Sequence, residues 1–151
     1  MSGLTRILAF LLLMFGSSLP PEQITSTRAG KPDLVVSHVG PTPRQAAAGG
    51  ALRLSPHVAN RGAGRAERST IHYFLSRSTE KDPGDLRLVG RTRVPALGPG
   101  VQLERPAHLT VPAAVPSGAY YVVACAEAAR RISERREANN CRLSAQRVAI
   151  R

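Results

Sequence analysis

Past residue 32 the apolar residues of this chain fall into short segments, most of them bounded by glycine, proline or asparagine, and that spacing restricts the fold more than any other feature. Seven segments have the pattern of strands: Asp33 to Val39, Ala51 to Asn60, Ser69 to Ser76, Leu86 to Val94, Val101 to Val111, Gly118 to Ala126 and Arg142 to Ile150. In the second, Leu52, Leu54, Pro56 and Val58 share one face while Arg53, Ser55 and His57 share the other, as a half-buried strand requires. Ala119 to Ala126 is apolar on both faces and therefore belongs centrally in a sheet, covered on each side. Pro56 and Pro106 have no N–H to donate, so their nitrogens fall at an edge, at a bulge or outside the pairing. The 13 glycines and 12 prolines punctuate these segments without a three-residue period, which excludes collagen. A chain of 151 residues that is 42% hydrophobic is too apolar for wholesale disorder and long enough for one domain. The expected fold is all-β: an antiparallel β-sandwich of about seven strands.

The N-terminus reads as an export signal over residues 1–18, in which Arg6 is the positive flank, Ile7 to Phe15 the apolar core, and Gly16, Ser17 and Ser18 the small residues before cleavage. The apolar run has nine residues, about half of what a bilayer crossing needs, so no transmembrane segment is expected. Residues 19–32 contain Pro20, Pro21, Ser and Thr with little to bury and read as a flexible linker. The folded domain is expected over residues 33–151. Export makes Cys125 and Cys141 a disulfide pair, because an oxidising compartment lets them close. Closing that loop stabilises a fold by about 3 kcal/mol in the chain-entropy account. A zinc site wants about four ligands at close spacing, and no Cys or His lies between these two.

A set of motifs then resembles one family. Pro32-Asp33-Leu34 opens the first strand, Val58-Ala59-Asn60-Arg61-Gly62 closes the second, and Tyr73-Phe74-Leu75-Ser76 ends the third. Asp82, Asp85, Leu88 and Gly90 follow, then Val94-Pro95-Ala96-Leu97 before Pro99-Gly100, and Gly118 to Ala126 after Val111-Pro112. Glu134, Glu137, Asn139, Asn140 and Cys141 complete the series. From Asp33 to Ile150 this spacing resembles the bacterial CARDB family, a cell-adhesion-related domain. The resemblance implies an immunoglobulin-like sandwich and a role in adhesion or surface recognition, and it names no ligand. By residue chemistry, Asn60 before a flexible stretch caps a strand end, and Gly118-Ala119-Tyr120 looks like a tyrosine corner, in which a phenol bonds backbone across a turn.

The net charge of +11 draws anionic partners by a long-range, salt-sensitive attraction. Its densest concentration is the loop from Glu127 to Asn140, where Arg130, Arg131, Arg135 and Arg136 flank Ile132. These four arginines are the candidate anionic-ligand residues, and the expected partner is a surface protein or an anionic polysaccharide. Nucleic acid is disfavoured, since stacking on bases calls for aromatics that the loop lacks. Ser78, Glu80, Asp82 and Asp85 place oxygen ligands in one connection, with Asp82 and Asp85 the calcium candidates, yet Arg77, Lys81 and Arg87 stand among them and favour a structural turn. His57, His72 and His108 point outward from different strands and cannot converge on a metal. No nucleophile elbow, phosphate loop or metalloprotease helix appears, so no enzyme activity and no cofactor are expected. The function expected is an exported binding or adhesion module. The alternatives are a structural module that assembles by edge-strand pairing and a calcium-dependent adhesion domain.

Overall fold

Pro56 and Pro106 shape the architecture. A computed structural model describes residues 30–126, 133–136 and 138–151. In it the alternating segment from Ala51 becomes β3 (Ala51–Leu54) and β4 (His57–Asn60), and the segment from Val101 becomes β8 (Gln102–Glu104) and β9 (Ala107–Thr110). Strand β3 pairs with β9, Leu54 opposite Ala107, and β4 pairs with β8, His57 opposite Glu104. The register is the same on both sides of the break, and each segment lacks one ladder donor at its proline. At that corner Arg105 N–H donates to the Pro56 carbonyl at 2.9 Å. The alternation survives too: Leu52, Leu54, Pro56 and Val58 are all buried.

Three pairing groups result. One sheet has the order β1–β4–β8, with β1 (Leu34–His38) antiparallel to β4. The large sheet has the order β2–β11–β10–β5–β6, built from β2 (Gln45–Ala46), β5 (Ser69–Ser76), β6 (Leu86–Arg87), β10 (Gly118–Ala126) and β11 (Cys141–Ile150). Strand β7 (Thr92–Val94) pairs with β5 beyond the reach of β6. The β3–β9 pair joins this sheet's edge through a bridge between Thr110 and Val89.

The chain is an immunoglobulin-like all-β sandwich, with eleven strands among the described residues where about seven were expected. Prolines divide two of the expected strands, and their halves lie in different pairing groups, so neither strand belongs to one sheet throughout. The expected strand from Leu86 to Val94 divides at Gly90, whose φ is positive at 111° and whose missing side chain admits the His108 carbonyl oxygen at 2.9 Å from where a Cβ would stand. Strand β2 is two residues long, too short to show a period, and it pairs with β11 in parallel.

Strand β10 lies between β11 and β5, and its residues from Val122 to Ala126 are all buried, as a segment apolar on both faces requires. Its inner face contributes Tyr120, Val122, Ala124 and Ala126 to a single core with Leu34, Leu52, Ile71, Tyr73 and Val148. Val123 and Cys125 face the opposite way and are buried outside that cluster. Opposite Val122 the β10–β11 register shifts, and Ser144 takes the place of the lost ladder bonds, accepting from Val122 N–H at 3.0 Å and donating to the Gln146 carbonyl at 2.7 Å. Tyr120 O–H donates to the Pro116 carbonyl at 2.8 Å, which forms the expected tyrosine corner. The guanidinium of Arg77 donates to the same phenol at 2.9 Å and lies over its ring.

Candidate functional site

Cys125 and Cys141 are directly opposed in the β10–β11 register and are joined by a disulfide. The far end of the loop they close is tied to the start of β1. Glu134 is buried, accepting from Leu34 N–H at 3.0 Å through Oε1 and from Asn140 Nδ2 through Oε2. Asn139 Nδ2 donates to Asp33 Oδ1 at 2.9 Å, and Arg135 N–H donates to the Pro32 carbonyl at 2.8 Å. Lys31 Nζ reaches Ser133 Oγ at 3.0 Å. The motif residues Glu134, Asn139 and Asn140 are therefore clamps on β1, a role that short-range sequence reasoning does not reveal.

Asn60 is the second clamp. Fully buried at the end of β4, it accepts from Asp33 N–H and Gly62 N–H at 3.0 Å each through Oδ1. Its Nδ2 donates to the Gly64 carbonyl at 2.7 Å and the Leu97 carbonyl at 3.0 Å, so the amide's four main hydrogen-bonding positions are all used. Gly62 is required here by space, since a Cβ would lie 2.4 Å from the Lys31 carbonyl oxygen.

Of the four loop arginines, Arg135 and Arg136 are exposed beside this clamp, and Arg130 and Arg131 lie outside the described residues. The acidic connection is used by its own turn. Asp85 Oδ2 accepts from Asp82 N–H at 2.9 Å and lies 3.5 Å from Lys81 Nζ, while Asp82 Oδ1 accepts from Gly84 N–H at 3.2 Å. Ser78 and Glu80 bond within the same turn, with Ser78 Oγ donating to the Glu80 carbonyl at 2.8 Å. Among the described residues no group of three or more His, Cys, Asp or Glu is placed to hold a metal ion.

The histidines are dispersed over separate elements, with one local pair. His38 and His57 meet edge to face at 5.7 Å, and His57 Nε2 lies 3.5 Å from a Glu104 carboxylate oxygen. His72, on β5, lies beside Arg87, whose guanidinium is 3.2 Å from Nδ1. Partial burial first, and then the positive charges of Arg87 and Arg91, hold its pKa below the usual imidazole value.

The structure also gathers four arginines that are far apart in sequence. Thr92 and Val94 of β7 are buried, so Arg91 and Arg93 face outward, and Arg93 stands opposite Thr70 of β5. Arg68 precedes β5, and the proline corner brings Arg105 to the same place. Together with Ser69 and Thr70 they line a concavity of about 490 Å³. The one sequence signal for it is the Arg-Thr-Arg-Val alternation at 91–94.

The family model for CARDB matches residues 31–144, and the chain belongs to that family. Its fold is similar to the CARDB domain of a Pyrococcus furiosus protein, solved as a crystal structure in complex with di-metal ions, with 19% identity, a TM-score of 0.53, and 80% of this chain and 90% of that chain covered. The solution structure of the same archaeal domain matches with 18% identity and a TM-score of 0.52, over 80% of this chain and 95% of that one. No curated protein matches the chain. Among the described residues no helix is long and apolar enough to cross a membrane.

Proposed function

We propose that the chain is an exported, non-enzymatic binding or adhesion module, secreted, periplasmic or at a bacterial cell surface, that recognises a protein or an anionic polysaccharide. The observation that carries this reading is the state of its charge. Of 21 lysines and arginines only Lys31 and Lys81 are lysine, and the two side-chain ion pairs among the described residues, His57 with Glu104 and Lys81 with Asp85, use no arginine. Described arginines that form no ion pair with a described carboxylate present forked donors to external oxyanions. The disulfide supports an oxidising compartment, and residues 1–18 supply the proposed signal, followed by the linker of residues 19–32. Arg130, Arg131, Arg135 and Arg136 remain proposed contacts for the ligand.

The test is retention of the purified chain on sulfated and carboxylated glycan resins, against a control protein of equal net charge, together with pull-down from the producing cell's envelope and medium. Retention beyond the control supports the reading, and elution together with the control in every case removes it. N-terminal sequencing of the exported product tests cleavage near Ser18.

A further inference from the structure

We propose that the concavity between β7, the start of β5 and the Pro106 corner is a binding site for the sulfate or carboxylate groups of an anionic polysaccharide. This deepens the function proposed above and rests on it.

Four guanidinium side chains, Arg68, Arg91, Arg93 and Arg105, line one concavity with no acidic residue in its lining. All four residues are exposed, and none forms an ion pair with a described carboxylate. Four like charges held around one hollow repel each other, and a bound oxyanion relieves that repulsion while accepting paired N–H donors from each fork. Ser69 adds an independent observation. The residue lines the same hollow, and its Oγ is buried and has no hydrogen-bond partner within the protein. A buried hydroxyl left unpaired costs on the order of 1–3 kcal/mol, and a ligand oxygen or hydroxyl at this position supplies the missing bond.

The lining decides the ligand class. It has no aromatic ring on which a base would stack, so nucleic acid has no platform. Its apolar members are the buried Val94 and the exposed Pro95, which leave no deep pocket for the anchor side chain of a protein partner. Repeated oxyanions with hydroxyls between them match arginine forks flanked by Ser69 and Thr70.

The experiment is calorimetric titration of the full chain with a heparin-derived octasaccharide, an oligogalacturonate, an uncharged dextran oligomer and a poly-glutamate peptide. The native chain is expected to bind at least one charged glycan more tightly than poly-glutamate, and to leave dextran unbound. Arg93→Gln with Arg105→Gln is expected to weaken glycan binding about tenfold or more. Arg44→Gln with Arg61→Gln, which removes the same charge from exposed positions outside the lining, is expected to weaken it less than about threefold. Ser69→Ala leaves the charge unchanged and is expected to weaken binding several-fold.

Equal losses from the two arginine pairs, or a loss confined to Arg135→Gln with Arg136→Gln, would overturn this site while the glycan-binding reading stands. Tighter binding of poly-glutamate overturns the glycan assignment in favour of an acidic protein. Should the native chain bind no charged probe better than a protein of equal charge, the proposed function itself fails and the site with it.

Discussion

Leu34, the first residue of β1, donates its backbone N–H to Oε1 of Glu134 at 3.0 Å, across 100 positions of sequence. A carboxylate that belongs to the disulfide loop thus caps the opening strand of the other sheet. Glu134→Ala leaves Leu34 N–H and Asn140 Nδ2 without this acceptor in a buried setting. The expected destabilisation is about 2–4 kcal/mol, read as a lowered urea midpoint at unchanged slope. Glu134→Gln keeps an acceptor oxygen for Leu34 and is expected to lose less.

Asn60→Ala removes four hydrogen bonds at once: Asp33 N–H, Gly62 N–H and the Gly64 carbonyl lose their Asn60 partner, and the Leu97 carbonyl keeps only its bond from Ala66 N–H. A loss of at least about 3 kcal/mol is expected. A midpoint within experimental error of the native chain would show that water replaces all four bonds.

Reduction of the Cys125–Cys141 bond is expected to destabilise the domain by about 3 kcal/mol, since it lets the unfolded chain recover the loop freedom that the bond removes. Mass spectrometry of the unfolded chain checks the bond itself. Alkylation should add two labels after reduction and none before.

Tyr73 is fully buried and shares a hydrogen bond of 2.7 Å with Thr92. Burial pushes its phenol up to about 12, and the Thr92 bond offsets part of that rise. Below pH 10 both folded and unfolded chains hold the proton, so the stability associated with this group is fully present. Between pH 10 and about 12 only the unfolded chain has released it, and stability falls as pH rises. Tyr73→Phe is expected to remove the late step from the phenolate absorbance titration and to flatten this part of the stability profile.

His72 runs the other way. Its folded-state pKa lies below 6.5, from burial and from Arg87 and Arg91, so the unfolded chain takes up a proton first as pH falls. Stability associated with it is present above pH 6.5 and declines below. Arg87→Gln with Arg91→Gln is expected to move the imidazole titration toward 6.5 by NMR, and added salt should shift it the same way.

Patterns confined to one strand were legible before the structure. The two-sided apolar run of β10 announced a central strand, and Gly118-Ala119-Tyr120 announced the corner at Pro116. Pro56 and Pro106 were readable as breaks in pairing, though not as the points where two strands change sheets, because that depends on what each half meets afterwards. Asn60 was readable as a cap, while its partners Asp33 and Leu97 lie too far along the chain for a local rule to connect. The same holds for Glu134, whose partner is set by tertiary packing. Arg68, Arg91 with Arg93, and Arg105 are far apart in the sequence, and only the β5–β7 pairing with the proline corner draws them together.

The covalent link at the end of β10 has a consequence for a molecule exposed to proteases. A single cut anywhere from residue 126 to 140 releases no fragment, since the two pieces stay fastened through Cys125 and Cys141 with β11 still paired along β10. The nicked molecule would migrate as one species until a thiol reductant parts it in two.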